Sequence, residues 1–371
     1  MNPLIAWLLD EGRRCASVPE LLGALGPRVA ACTSLERIWL GTKVLHPQAA
    51  AYVWIWERGR DEVREMSLSY AVFQELEQHD SPILRLRLGE PEVHYLAPDS
   101  DGMPDLQSVW DQGYAELLGT NIRFRDQWVG ALTWATRGRF EPQELQLFRD
   151  LTPVLSAVVE PRAGDLVTSI LLRTYLGRDA GDRVFHGQVK RGDGGGLRAV
   201  VWFSDVRGFT RMSEVLDPEH LLGVLNDGFE LVVTCVEKHG GQVLKFMGDG
   251  ALAVFPCEGD DSRACEAARQ AALELEEGLA ALARSPAIEM GVGLHLGEVS
   301  YGNIGSPSRL DFTVIGPAVN LAARVEAQCS GLGQSVLATA EVAARQPELW
   351  TRVGQARMKG VADEVSLFRP C

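Results

Sequence analysis

Apolar residues recur at helical spacing near the start of the chain, at Ile5, Leu8 and Leu9 and again at Leu21, Leu22, Leu25 and Val29, which predicts amphipathic helices. Strand-like runs follow: AYVWIW (51–56), TNIRFR (120–125) and WVGALTWAT (128–136), the last two separated by Asp126-Gln127 as in a hairpin. FEPQEL then opens a helix running toward Glu160, with Pro142 where a first turn tolerates it and Pro153 expected to kink or restart it. Over 165–180, Val167, Ile170, Leu171, Thr174 and Tyr175 share one helical face. That face suits either a packed amphipathic helix or a signalling helix paired with its twin in a dimer, and it is too short to claim a coiled coil. GQVKRGDGGG (187–196) reads as a flexible hinge, and a new domain starts at Leu197.

The second half carries candidate chemistry. RAVVWFSDV (198–206) has the continuous apolar pattern of a buried strand and ends in Asp205 and Val206, just before Arg207, Gly208, Phe209 and Thr210. QVLKFMG (242–248), a turn at Asp249-Gly250 and ALAVF (251–255) predict a tight hairpin that places Asp249 at its tip. A single Asp at a strand end is more often a turn cap than a metal ligand. Two on adjacent strands are the minimal oxygen cage for paired Mg²⁺ ions and a substrate phosphate. In SRLDFTVIGPAVNLAARVEAQ (308–328), FTVIG is a short strand, Gly316-Pro317 ends it, and the helix that follows puts Asn320 and Arg324 at i and i+4 on one face. An Arg there is ordinarily just solvated, whereas a mid-helix Asn is less comfortable, and the two together point to a polar site.

Composition narrows the partners. A length of 371 residues suits about two domains, and 46% hydrophobic with 23% charged residues is the balance of a folded soluble protein. Lys plus Arg number 36 against 50 Asp plus Glu, a net charge of −14, so the surface repels nucleic acid and acidic membranes at long range. A phosphate-bearing ligand must therefore be small and held by local Lys and Arg. No apolar run approaches a membrane span, and the N-terminus lacks the basic start of a signal peptide, so a cytoplasmic location is expected. The seven cysteines (15, 32, 235, 257, 265, 329 and 371) are scattered and never form CxxC, which fits reduced, buried or incidental thiols. His220, His239 and His295 lack metal-ligand spacing and read as structural or exposed. Trp39, Trp54, Trp56, Trp110, Trp128 and Trp134 read as core before cofactor box.

Two resemblances follow from these residues. The helix–sheet–helix order with a terminal hairpin over about 20–160 resembles a GAF sensory domain, with a PAS-like or other α+β sensor as the alternative. It lacks an NKFDE-type signature and any evident bilin or haem ligand. FSDVRGFT, LKFMGDGALAVF and DFTVIGPAVNLAAR, in that order, resemble the catalytic domain of class III nucleotidyl cyclases across about 197–370. The resemblances imply an α+β chain: a GAF-like α/β sensor at 1–163, a signalling helix and Gly-rich hinge at 164–196, and a cyclase domain with a βαββαβ ferredoxin-like core at 197–371.

The cyclase resemblance implies a head-to-tail homodimer with two interfacial sites, each using two Mg²⁺ (or Mn²⁺) ions and ATP. Asp205, Val206 and Asp249 match the metal positions, Lys245 and Thr313 the two purine-selecting positions, and Asn320 and Arg324 the ribose and transition-state pair. Lys359 in RMKGV matches the residue on the terminal phosphates, and the turn Arg207, Gly208, Phe209 and Thr210 should offer backbone N–H groups to phosphate. A Lys donor facing N1 and a Thr acceptor facing N6 suit adenine. Many relatives carry Asp where this chain has Thr313; the Thr type resembles a subclass, IIIb-like, that includes bicarbonate-responsive enzymes, and some GTP turnover is compatible with it. The alternatives are a guanylate or mixed-specificity cyclase, a catalytically weak nucleotide-binding signalling module, and a diguanylate cyclase, whose GGDEF-type turn is absent. The input to the N-terminal domain, a small molecule or a protein, stays open.

Overall fold

A computed structural model describes residues 2–78, 80–99, 103–124, 127–282, 287–361 and 363–371, without the side chains of residues 76 and 77. The chain divides into two compact units, Met1–Leu171 and Leu172–Cys371. No helix among the described residues is long and apolar enough to cross a membrane.

The first unit runs α1 (Pro3–Asp10), α2 (Val18–Ala30), β1 (Arg37–Lys43), β2 (Ala49–Glu57), β3 (Arg64–Ser69), α3 (Tyr70–Gln78), α4 (Pro82–Leu88), β4 (Glu92–Leu96), α5 (Pro104–Asp111), β5 (Glu116–Phe124), β6 (Gln127–Thr136) and α6 (Pro142–Leu176), the last crossing into the second unit. Its antiparallel sheet has the order β3-β2-β1-β6-β5-β4. Alternation along the strands separates two faces. Ile38, Leu40, Trp54, Trp56, Leu132 and Trp134 pack with Leu21, Leu22 and Leu25 of α2 and Phe148, Leu151 and Leu155 of α6. The opposite face meets Leu86 of α4 and Leu106 of α5. Trp54, Trp56 and Trp134 are thus core residues. β5 and β6 pair as expected, although Arg125 and Asp126 of the anticipated turn lie outside the described residues.

Two expectations about the middle of the chain are corrected. Pro153 does not restart the helix: α6 continues through both Pro153 and Pro161 to Leu176. A proline inside a helix costs about 3 kcal/mol, but Phe148, Leu151, Leu155, Val158 and Val159 are buried on both sides of Pro153, and that packing outweighs the lost hydrogen bond. The Gly-rich hinge is in part a strand. Gly194, Gly195 and Gly196 begin β7 (Gly194–Val206) and pair with Gly302, Tyr301 and Ser300. Side-chain atoms at Gly194 would collide with the Tyr301 carbonyl, so glycine here permits close pairing and not mobility. Buried Asn303 fixes the approach, donating to the Gln188 carbonyl at 2.8 Å.

The second unit continues with α7 (Arg178–Phe185), β7, α8 (Phe209–Val215), α9 (Pro218–Lys238), β8 (Gln242–Met247), β9 (Gly250–Pro256), α10 (Asp261–Ala281), β10 (Met290–Ser306), β11 (Arg309–Ile315), α11 (Pro317–Glu326), α12 (Gln328–Leu332), β12 (Val336–Thr339), α13 (Ala340–Ala343), β13 (Trp350–Ala356) and β14 (Val365–Pro370). The sheet order is β13-β14-β12-β10-β7-β9-β8, with β11 on β10. The four strands β7, β8, β9 and β10 with α9 and α10 make the βαββαβ arrangement, in the order β10-β7-β9-β8 with β7 and β9 at its centre. One apolar cluster joins the sheet to α9 and α10 through Trp202, Val232, Phe255 and Leu275, and another joins it to α11 through Val201, Val299, Ala318 and Ala322.

Candidate active site

β7 is flanked by β9 and β10, so its C-terminal end lies at the middle of the sheet edge. Asp205 sits there, opposite Gly250 on one side and Gly291 on the other. The hairpin tip is Gly248-Asp249, one residue earlier than expected. Gly248 takes the positive φ (66°), whereas Gly250 is already in the ladder, opposite both Met247 and Asp205. A Cβ on Gly250 would approach the Ser204 carbonyl to 2.8 Å, which explains why glycine and not the aspartate occupies the paired position. The Val206 N–H donates to the Asp249 carbonyl at 3.3 Å, tying the two strand ends together.

The two aspartates therefore share one small volume. Burial, then the charge of Asp249 and a hydrogen bond shared with it, push the Asp205 carboxyl up to about 6. A third acid, Glu326 near the end of α11, is pushed up to about 7 by burial first and then by the charge of Asp205. Sequence reasoning missed Glu326. Its signal was an acid inside the apolar stripe Ala318, Ala322, Val325 and Cys329, where only a residue with a polar task belongs. It reaches the aspartates because α11 lies unusually close to β10: side-chain atoms at Gly293 would collide with the backbone of Ala322 and Glu326, and a Cβ on Gly297 would sit 2.7 Å from that of Ala318.

Asn320 and Arg324 lie on α11 as expected, with Pro317 at its first turn. Arg324 stands beside the loop that carries Lys359: its nearest guanidinium nitrogen is 3.6 Å from the place a Cβ on Gly360 would take. Lys245 is half-buried on β8, and Thr313 is buried on β11, two strands in contact with each other. The Thr313 hydroxyl oxygen is buried without a hydrogen-bond partner. Among the described residues, Lys245, Asn320, Arg324 and Lys359 make no side-chain hydrogen bond or ion pair. Three cations and an amide held ready without protein partners are what a polyanionic ligand needs.

The turn after β7 differs in detail from expectation. Gly208 adopts φ 68° ahead of α8, and Phe209 and Thr210 start that helix. The Arg207 N–H, however, donates to the Glu289 carbonyl at 2.9 Å, and its guanidinium donates to the Gln334 carbonyl. Arg207 is thus committed to the fold, and Gly208, Phe209 and Thr210 supply the N–H groups that remain open. His220, His239 and His295 each bond a neighbour within the fold: Asp217, Glu274 and Thr339 respectively.

Residues 198–368 match the family model of the adenylate and guanylate cyclase catalytic domain. An adenylate cyclase of Anabaena cylindrica is 36% identical over 154 residues, covering 39% of this chain and 30% of that protein. Adenylate cyclase 1 of Rhizobium meliloti (strain 1021) is 31% identical over 174 residues, 45% of this chain and 26% of that protein. A solved bacterial light-regulated adenylyl cyclase has the same fold at a TM-score of 0.51, with 17% identity, over 75% of this chain and 93% of that one. The chain spans less than a third of the length of the two curated relatives. The likeness to the adenylate and guanylate cyclase catalytic domain thus falls in the C-terminal part of the chain.

Proposed function

We propose that the catalytic domain converts ATP to 3′,5′-cyclic AMP and pyrophosphate, at a site completed by a second copy of the chain. The observation that carries this reading is the placement of Asp205 and Asp249 together at adjacent strand ends, on a domain that also holds Lys245, Arg324 and Lys359 without side-chain partners among the described residues. Two hard carboxylates, one of them raised by burial and then by the charge of the other, are a donor set that a divalent cation relieves, so the residues fit Mg²⁺ or Mn²⁺, with the Val206 carbonyl as a further oxygen. Such ions, when bound, lower the pKa of the ribose 3′-hydroxyl and draw charge from the phosphates.

The chain's own groups do the rest. Arg324 and Asn320 orient the ribose and face the α-phosphoryl oxygens as the 3′-oxygen approaches in line. Lys359 and the open N–H groups of Gly208, Phe209 and Thr210 hold the leaving pyrophosphate. Lys245 offers a donor to adenine N1, and the unpartnered Thr313 hydroxyl accepts from N6.

Helix geometry supports a division of the site between two copies. Residues two apart on α11 are separated by about 200°. Glu326 faces Asp205, so Arg324 points away from the aspartates of its own chain, and Asn320, six residues before Glu326, lies about 120° round the helix from it. A head-to-tail pair brings the second copy's Arg324 to those aspartates. In the same reading the first unit is the sensor that regulates the cyclase.

The test is an assay of the purified chain with MgCl₂ or MnCl₂ and either ATP or GTP, resolving the cyclic products. Cyclic AMP and pyrophosphate from ATP, with the higher kcat/KM, are expected. Predominant cyclic GMP overturns the base assignment, and no cyclic product from either nucleotide overturns the enzyme reading.

A further inference from the structure

The face of the first unit's sheet opposite its main core carries a cavity of about 360 Å³. Trp39, Ile55, Leu117 and Thr133 form its floor, and α5 covers it with Leu106 and Val109. An engineered apolar cavity of about 150 Å³ holds a benzene molecule. This one is more than twice that size, room for an organic molecule of roughly ten to fifteen non-hydrogen atoms.

One charged group is built into the wall. Arg37, on β1, is only 8% exposed, and it alternates with Ile38 so that its side chain turns from the main core to the cavity. Its Nε is buried with no hydrogen-bond partner, and Arg37 forms no ion pair among the described residues. The acid placed to neutralise it is Glu57, directly opposite in register. Glu57 is otherwise engaged: it accepts from the Tyr114 hydroxyl at 3.0 Å and pairs with Arg60 at 2.9 Å. The guanidinium instead lies over the Tyr114 ring, 5.4 Å from its centroid. A second cation, Arg64, lines the same cavity, against one acid, Asp105. Burial holds the Arg37 pKa below its usual value, and the Arg64 charge adds to this, against the opposing pull of Tyr114 and Glu57. A buried guanidinium with no carboxylate bonded to it is costly, and an incoming anion reduces that cost.

We propose that the first unit binds an organic carboxylate with an apolar body in this cavity, the carboxylate meeting Arg37 and the body lying against Trp39, Ile55 and Leu117. The two are complementary in shape as well as sign, because a guanidinium edge takes a carboxylate through paired hydrogen bonds. This inference concerns the first unit alone and stands whether or not the cyclase reading does.

The experiment titrates the full chain by calorimetry with 2-naphthoate and decanoate, each beside its neutral amide, 2-naphthamide and decanamide. The acids should bind at least about tenfold more tightly than the amides, the scale of a desolvated charge-assisted bond. Arg37→Met should bring acid and amide to within about threefold of each other. Val109→Trp, which fills the cavity from α5, should remove binding of both. Far-ultraviolet circular dichroism and a thermal melt check that each variant is folded, and if one fails to fold the other still locates the site. Equal affinity for acids and amides in the unmodified chain, no binding of either acid at 1 mM (about −4 kcal/mol), or an acid preference that survives Arg37→Met would overturn the proposal.

Discussion

Removing one carboxylate from the cluster at the end of β7 should stabilise the metal-free protein, and do so only at neutral pH. The folded state raises Asp205 from 3.8 to about 6, so it holds a proton that the unfolded chain releases. Stability from this group is therefore fully present below about pH 4 and lost as pH rises through about 6. At 1.36 kcal/mol per pH unit the shift corresponds to about 3 kcal/mol. Asp205 is partly open to solvent, and screening reduces that to about 1 kcal/mol. Glu326 titrates as part of the same cluster and is not added separately.

Asp205→Asn should then raise the melting temperature of the catalytic unit by about 2–4 °C at pH 7.5. At pH 4.5 the gain should shrink to under about 1 °C, because the wild-type carboxyl is then protonated in the fold. Differential scanning calorimetry of the full chain in EDTA reads both values. Adding MgCl₂ at pH 7.5 should stabilise the wild type and leave Asp205→Asn where it was. A gain of equal size at the two pH values, or a loss at pH 7.5, would refute the claim that burial of the Asp205 charge and its repulsion by Asp249 destabilise this site.

Two further experiments examine the base-reading pair and the helix that carries the ribose and phosphate residues. Lys245→Glu with Thr313→Cys should lower the ratio of kcat/KM for ATP over GTP, because the group facing N1 changes from donor to acceptor; an unchanged ratio means these side chains do not read the base. Gly293→Ala should cost about 1–3 kcal/mol and lower kcat, since the new methyl meets the α11 backbone and displaces Asn320 and Arg324. Gly354→Ala, where a Cβ meets nothing within 4 Å, is the control in urea unfolding and in the cyclase assay, and equal losses in both would contradict the packing argument.

Much of the catalytic domain was legible because its signals are local. Gly316-Pro317 marks a helix start by its backbone chemistry, and the i, i+4 spacing of Asn320 and Arg324 survives any error in tertiary placement. The hairpin at Asp249 was legible to within one residue: Asp-Gly and Gly-Asp are both acceptable tight turns, and the contact of Gly250 with β7, which decides between them, is invisible in the hairpin's own sequence. The stretch 194–196 misled for a related reason. Three glycines carry no side-chain alternation, so only the partner strand at Tyr301 and Gly302 shows them to be paired. Pro153 misled because local propensity was overridden by packing along α6. Glu326 is hard to see in the sequence because helical periodicity marks apolar faces, and one acid within such a face leaves the period unchanged.

The account stands or falls on the division of one site between two chains. An Asp205→Ala chain and an Arg324→Ala chain, each inactive alone, are unfolded, mixed in equal amounts, refolded and assayed for cyclic AMP. Random pairing makes half of the dimers mixed, each with one whole site of two, so roughly a quarter of wild-type activity should return. Asp205→Ala mixed with Asp249→Ala should return none. Absence of rescue in the first mixture, from chains that dimerise, or rescue in the second, would contradict the shared site.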